Sequence, residues 1–174
     1  DILNHNTETV PELYRFVRPG AKFARSLELL RRVKELAPGM LSKTGLMLGL
    51  GESEAQLLAA LRQLAATGCD ILTLGQYLRP TRNHLPVKKL YTPAEFAALR
   101  EQALGMGFGH VEAGPLVRSS YHAHSQAENV HSRPIPAARR RPEQSGHPLP
   151  GSEATALSDR RQRPESGVEY PLPA

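Results

Sequence analysis

Gly45-Leu46-Met47-Leu48-Gly49-Leu50, then Ser53-Glu54-Ala55-Gln56, and, past Gly68, Asp70-Ile71-Leu72-Thr73-Leu74-Gly75 together decide the fold. Both apolar runs are short and end at glycine, the pattern of parallel strands buried on both faces. Between them Ser53 and Gln56 stand at capping-box spacing. Leu57, Leu58, Leu61 and Leu64 recur with helical period to about Thr67, and Gly68 ends the helix. Strand, helix, strand in that order is one βαβ unit.

The same alternation extends both ways. Upstream, Ile2-Leu3 ends a strand that runs into the polar stretch Asn4-His5-Asn6-Thr7-Glu8-Thr9. A short helical turn spans about Glu12 to Val17, Pro19-Gly20 breaks the chain, and Phe23, Leu27, Leu30 and Val33, with Leu29 and Leu36 beside them, predict a helix from about Ala21 to Leu36. Downstream, a loop runs from Gln76 to about Tyr91. Thr92, Pro93 and Glu95 open a helix that turns Phe96, Leu99, Ala103 and Leu104 inward. A last strand, about Phe108 to Glu112, leads into Gly114-Pro115-Leu116-Val117-Arg118-Ser119-Ser120-Tyr121-His122-Ala123. Four strand–helix alternations predict an α/β fold of parallel strands, part of a (βα) TIM-like barrel or a doubly wound sheet. In both, ligands collect at the carboxyl ends of the strands, where residues 4–9, 49–53, 75–84 and 113–122 fall.

Composition divides the chain of 174 residues near Gln126. Eight of the fifteen prolines lie in the last 49 residues, with Arg139-Arg140-Arg141 and little apolar periodicity. Residues 1–125 are therefore expected to fold and 126–174 to form a disordered tail. The net charge of +5 is spread along both parts rather than gathered into a basic stripe with interleaved aromatics, so no nucleic-acid partner is expected. A binder of RNA or of a membrane surface acting through the tail stays open as a minor reading. The one cysteine, Cys69, excludes an internal disulfide framework and cannot hold a metal cluster by itself. No apolar run is long enough for a membrane span. A chain that starts without Met in a strand reads as partial, with open strand edges that favour self-association.

Each polar stretch admits a plain and a functional reading. Asn4-x-Asn6-x-Glu8 is a capping turn, or a row of amides and a carboxylate able to grip the hydroxyls of a ribose. Gly45-x-Met47-x-Gly49-x-x-Glu52 is tight packing, or a backbone bared to a ligand; it has neither a phosphate-loop ending nor a dinucleotide spacing. Lys43 is a solvated strand-end lysine or an anion ligand. His84 lacks a His or Cys partner at ligand spacing, which speaks against a metal site. Arg118-Ser119-Ser120-Tyr121-His122 carries serines near a histidine but no nucleophile elbow.

Taken together, Asn4 to Thr9, Gly45 to Glu52, Gln76-Tyr77-Leu78-Arg79-Pro80-Thr81 and Arg118 to His122 resemble the carboxyl-terminal half of lipoyl synthase, a radical S-adenosylmethionine (SAM) enzyme. That resemblance implies a partial barrel over residues 1–125. It makes Asn6 and Glu8, with Asn4 behind them, contacts to the ribose and amino-acid part of SAM, and places Gly49 and Glu52 in the strand motif beside the adenine. It makes Ser120, or else Ser119, an oxygen ligand to an auxiliary 4Fe-4S cluster that is sacrificed as sulfur donor. The family uses two 4Fe-4S clusters and SAM to insert sulfur at C6 and C8 of an octanoyl group. The group is carried on a lysine of a lipoyl carrier protein: the lipoyl domains of 2-oxoacid dehydrogenases or the glycine cleavage H protein. Deoxyadenosyl radicals abstract the two hydrogens. The expected compartment is the cytoplasm, or the mitochondrion in a eukaryote. The six cluster cysteines of the family lie upstream of everything present here and Cys69 matches none of them, so this polypeptide alone is expected to be inactive. A non-catalytic barrel fragment with residual SAM or partner binding is the alternative.

Overall fold

A computed structural model describes residues 1–118. The 126–174 tail, the boundary near 125 and the Ser119–Ala123 stretch lie outside the described residues. Four strands, β1 (Ile2–Asn4), β2 (Leu41–Leu48), β3 (Ile71–Gln76) and β4 (His110–Gly114), form one sheet in the order β1-β2-β3-β4, every pair parallel. The connections carry a 3-10 turn (Pro11–Leu13) with the short α1 (Tyr14–Val17) and α2 (Phe23–Leu36), then α3 (Glu54–Ala66), then α4 (Pro93–Gly105). Strand order follows chain order without reversal. This is the winding of a βα-barrel wall and lacks the switch point of a doubly wound sheet.

The helices share one face of that sheet. Phe23 and Leu30 of α2, Leu57, Leu61 and Leu64 of α3, and Phe96, Leu99 and Ala103 of α4 join Leu46, Leu48, Leu72, Leu74 and Val111 in one apolar core. On β2 and β3 those strand residues alternate with Gly45, Met47, Thr73 and Gly75, which line a cleft. Burial of the leucines alone stabilises by about 1.5–3 kcal/mol each.

Both capping boxes form. Ser53 Oγ accepts from Gln56 N at 3.2 Å while Gln56 Oε1 accepts from Ser53 N at 2.9 Å, and Thr92 and Glu95 repeat the exchange at 3.2 and 2.8 Å. The strand expected from Gly45 instead begins at Leu41. Three of its four extra residues, Ser42, Lys43 and Thr44, are polar, with partners distant in the chain: Ser42 N donates to Asp70 Oδ2 at 2.8 Å, and Thr44 and Thr7 hydroxyls lie 3.4 Å apart. Lys43 is 1% exposed, which rules out the solvated strand-end reading; burial lowers its pKa, and the nearby Glu112 carboxylate partly offsets that. Leu36 is 84% exposed, so the apolar stripe of α2 stops short of its end.

Cys69 gives a pH signature. Its thiol is buried and donates weakly to the Ser42 and Ile71 carbonyls at 3.5 and 3.6 Å, and burial pushes its pKa from 9.0 to about 11. An acid whose folded pKa is raised contributes stability in full below its unfolded pKa and loses it as pH climbs through the folded value. Stability should therefore fall by roughly 2–3 kcal/mol between about pH 9 and pH 11 on this account. Lys43 acts with the opposite sign: its lowered pKa makes stability rise with pH up to 10.5. The discriminating quantity is thus the difference between wild type and Cys69→Ala in urea unfolding across that range. Parallel curves for the two proteins would sink the assignment.

Candidate functional site

Past Asn4 the chain does not leave the sheet. His5 N donates to Lys43 O at 2.9 Å, then Thr7 N and Glu8 N both donate to Gly45 O, at 3.2 and 3.0 Å, and Glu8 O accepts from Met47 N at 2.8 Å. Two donors on one carbonyl make a bulge. The extra residue is taken up at Glu8, whose φ of 68° is left-handed. Tyr14 Oη and Arg18 Nη1, from the α1 region, donate to Thr7 O and Asn6 O, each at 2.9 Å, and fasten the segment from outside. A left-handed non-glycine residue costs about 1–3 kcal/mol and persists only where its surroundings fix it, as these bonds do.

The bulge decides which side chains meet. Asn6 and Glu8 line an open cleft at the carboxyl ends of β2 and β3, with Gly45, Met47, Thr73 and Arg118 among its other walls. The cleft has a cavity volume of about 230 Å³, below the range of about 300–1,000 Å³ usual for complete small-molecule sites. Asn4, exposed, is not among the lining residues. Gly45 leaves the floor open: a Cβ there would stand 2.5 Å from Thr73 Oγ1 and 3.2 Å from Asn6 Oδ1. Asn6 Oδ1 is buried without a hydrogen-bond partner among the described residues. A buried carbonyl left unsatisfied costs about 1–3 kcal/mol, so at the wall of a cleft it is an acceptor with unused capacity.

Gly49 and Glu52 lie elsewhere. Glu52 Oε1 accepts from Gly49 N at 2.6 Å and from the Tyr91 hydroxyl at 3.1 Å, and Oε2 from Leu50 N and Gly51 N at 3.0 and 3.1 Å. The carboxylate fills a nest of backbone N–H groups. Burial, then the Glu52 carboxylate, raises the pKa of the Tyr91 hydroxyl. Neither Gly49 nor Glu52 is among the residues lining the Asn6–Glu8 cleft. They shape its rim through the long loop, because Gly49 O accepts from Lys88 N at 2.8 Å. His84 is exposed and bonds within that loop, its Nδ1 2.8 Å from Thr81 Oγ1. Ser120 and Ser119 fall outside the described residues.

Thr73, Gln76 and Arg118 were not singled out from the sequence, and each bears on the cleft. Thr73 is placed there only by the β2–β3 register, which sets it opposite Gly45. Gln76 Nε2 donates to Leu48 O, Tyr77 O and Lys89 O at 3.0, 3.1 and 3.0 Å, and its Oε1 accepts from Tyr91 N at 2.9 Å, tying both ends of the loop to the sheet.

Against this geometry, sequence comparison is decisive. Over 130 residues, 75% of this chain, it is 61% identical to the lipoyl synthase of Rubrobacter xylanophilus. This chain belongs to the lipoyl synthase family. The lipoyl synthase of Koribacter versatilis is 60% identical over 130 residues, again 75% of this chain, and that of Bacillus cytotoxicus 56% over 137 residues, 79% of it. These matches cover 40%, 43% and 46% of the three relatives, so the chain spans less than half the length of the lipoyl synthases it matches. No protein-family model matches the chain. The fit of this lipoyl synthase segment to the family's cofactors differs between them. The orphan acceptor of Asn6, the Glu8 carboxylate and the open floor at Gly45 suit a ligand rich in hydroxyl and ammonium donors, as SAM is. For an iron–sulfur cluster the described residues offer no gathered ligand set: no three His, Cys, Asp or Glu side chains meet among them, and Cys69 is buried in the core.

Proposed function

We propose that the cleft binds SAM and that this chain carries the SAM-side wall of a lipoyl synthase, an enzyme of lipoate biosynthesis. The observation that carries the proposal is the buried, unpartnered Oδ1 of Asn6 beside Glu8 in a cleft at the carboxyl ends of parallel strands. Asn6 Oδ1 accepts from a ribose hydroxyl. Glu8, a charged acceptor, takes a second hydroxyl or the ammonium group, and the absence of a side chain at Gly45 lets the Thr73 hydroxyl and the Asn6 amide stand close together at the cleft wall. When bound and reduced, SAM supplies the hydrogen-abstracting group that the family's reaction needs. On this reading the parent enzyme inserts sulfur at C6 and C8 of an octanoyl group held on a lipoyl carrier protein, either a lipoyl domain of a 2-oxoacid dehydrogenase or the glycine cleavage H protein. Its two 4Fe-4S clusters draw on residues other than those described, Ser120 being the candidate in this sequence. A lone buried thiol suits a reducing compartment, the cytoplasm or the mitochondrion.

One cysteine in 174 residues favours a second reading for the chain taken by itself: a barrel fragment that binds SAM or a partner without turnover. Both readings share one test. Equilibrium dialysis of the full chain with labelled SAM should show one saturable site, displaced by S-adenosylhomocysteine. Glu8→Gln removes a charge-assisted hydrogen bond of about 1.5–3 kcal/mol and should weaken binding about 10- to 100-fold without lowering the unfolding temperature. No saturation by about 1 mM, or saturation indifferent to Glu8→Gln, refutes the SAM site. Cluster reconstitution then separates the readings, since iron uptake with formation of 5′-deoxyadenosine belongs to the first alone.

A further inference from the structure

The loop joining β3 to α4 carries charge that the cleft does not use. Residues 77–94 hold Arg79, Arg82, Lys88 and Lys89 and no acidic residue. Lys89 is committed to Glu95, at 2.7 Å, and lies over the Tyr91 ring. The other three are exposed, and among the described residues none of them forms an ion pair. Arg79 spends donors on its own loop instead: Nε donates to His84 O at 2.8 Å and Nη2 to Arg82 O. Those bonds are to carbonyls, so the positive charge is left uncompensated while the side chain is held in place.

The loop is also built to keep its shape. It is bound to the β2 end through Gln76 and Gly49, and Tyr77 Oη donates to Leu85 O at 2.9 Å. Such a long connection without regular structure is unusual unless it serves a function. Leu78, which lines the cleft, is 49% exposed, and Leu90 is 69% exposed. On the β4 side Leu116 is 79% exposed, two residues before Arg118, which lines the same cleft. Exposed leucines interspersed with arginines around a cleft mouth are the makings of a protein interface, in which apolar side chains bury area and charges set orientation.

We propose that the 78–90 loop is a docking platform for an acidic protein surface, one that presents its modified lysine to the cleft beside Leu78. This inference deepens the reading above, on which the cleft is the reaction site. Of the loop's two tyrosines, Tyr77 is buried and the Tyr91 ring is covered on one face by the Lys89 ammonium, so the loop is a poor platform for stacking bases, as single-stranded RNA binding would need. The loop contains no amphipathic helix to lie in a lipid interface. A prefolded basic loop with flanking leucines fits a folded acidic partner better than either.

Octanoylated glycine cleavage H protein is the probe, and the full chain is compared with the double variant Arg82→Glu/Lys88→Glu. Among the described residues neither side chain forms a hydrogen bond or an ion pair, and neither lines the cleft, so their reversal should leave the unfolding temperature and SAM binding unchanged. Affinity for the H protein should fall at least tenfold. It should fall similarly for the wild-type chain when the H protein's surface carboxylates are amidated, and decline steeply as salt is raised. A double variant that binds the H protein as tightly as wild type overturns the proposal. Preference of the wild-type chain for a single-stranded oligoribonucleotide or phosphatidylserine vesicles over the H protein overturns it too. Loss of H protein binding in the double variant, in a chain that never binds SAM, upholds the docking platform and sinks the SAM site.

Discussion

Replacing Gly49 by alanine is expected to cost about 3–5 kcal/mol of folding stability, the largest effect of any single methyl in the described structure. Two independent penalties combine there. The backbone φ of +100° is one that L side chains rarely adopt, and a Cβ would stand 2.2 Å from Lys89 O and 2.5 Å from Gln76 Nε2. Neither neighbour can easily yield, since Lys89 O is backbone and Gln76 holds four bonds that fasten the loop. Two other glycines separate the contributions. Gly39 has no neighbour within 4 Å and no positive φ, so Gly39→Ala should change stability by less than about 0.5 kcal/mol. Gly20 has φ +85° in open space, so Gly20→Ala isolates the conformational cost, about 1–2 kcal/mol. Urea unfolding of the three variants checks the ranking. If Gly49→Ala costs no more than Gly20→Ala, the loop is not packed against β2 as described. The same substitution should weaken SAM and H protein binding together, because Leu78 and the basic platform hang from this anchor.

Gly49 also shows where sequence reading succeeded and where it stopped. Signals carried by neighbours in the chain were legible: the two capping boxes, the glycine after α3 and the alternation of strand and helix all depend on residues a few positions apart, and all stand as expected. That the strands run parallel followed from that alternation, but their order in the sheet did not. Which residues of β2 were buried was not legible at its start, because Ser42, Lys43 and Thr44 are polar and their burial is made good by Asp70, Glu112 and Thr7, from other segments of the chain. Hydrophobic periodicity has no means of registering a polar residue whose partner is distant.

The site was legible to a similar depth. Asn6 and Glu8 do line one cleft, but the bulge at Thr7–Glu8 lies between them, so plain alternation is not what brings them together, and a bulge in glutamate and threonine leaves no glycine to betray it. Asn4 sits before the bulge, paired with Lys43 two residues nearer the amino end of the strand, short of a cleft that opens at the carboxyl ends. Gly49 and Glu52 illustrate the reverse case. Their spacing was noticed because it is unusual, yet its physical content is a carboxylate satisfied by Gly49, Leu50 and Gly51 N–H groups, a local device that supports the site from outside the cleft.

Asn6 yields the sharpest separation of function from stability. Its Oδ1 has been desolvated without gaining a partner among the described residues, a penalty of about 1–3 kcal/mol that a ligand donor would relieve. Asn6→Ala deletes the acceptor and the penalty with it. The variant should unfold at the same urea concentration as wild type or at a higher one, by up to about 1 kcal/mol after the lost packing of the amide is counted. Its affinity for SAM should fall about 10- to 100-fold, since the binding energy stored in the orphan acceptor has gone. Asn6→Asp keeps the shape but sets a second carboxylate beside Glu8, so it should lose affinity while binding more weakly at neutral pH than in acid. A purely structural amide would behave otherwise: Asn6→Ala would lower stability and leave SAM binding where it was. The opposite signs of the two effects make one substitution, read by unfolding and by dialysis, sufficient to decide between an acceptor held for a ligand and an amide that merely packs.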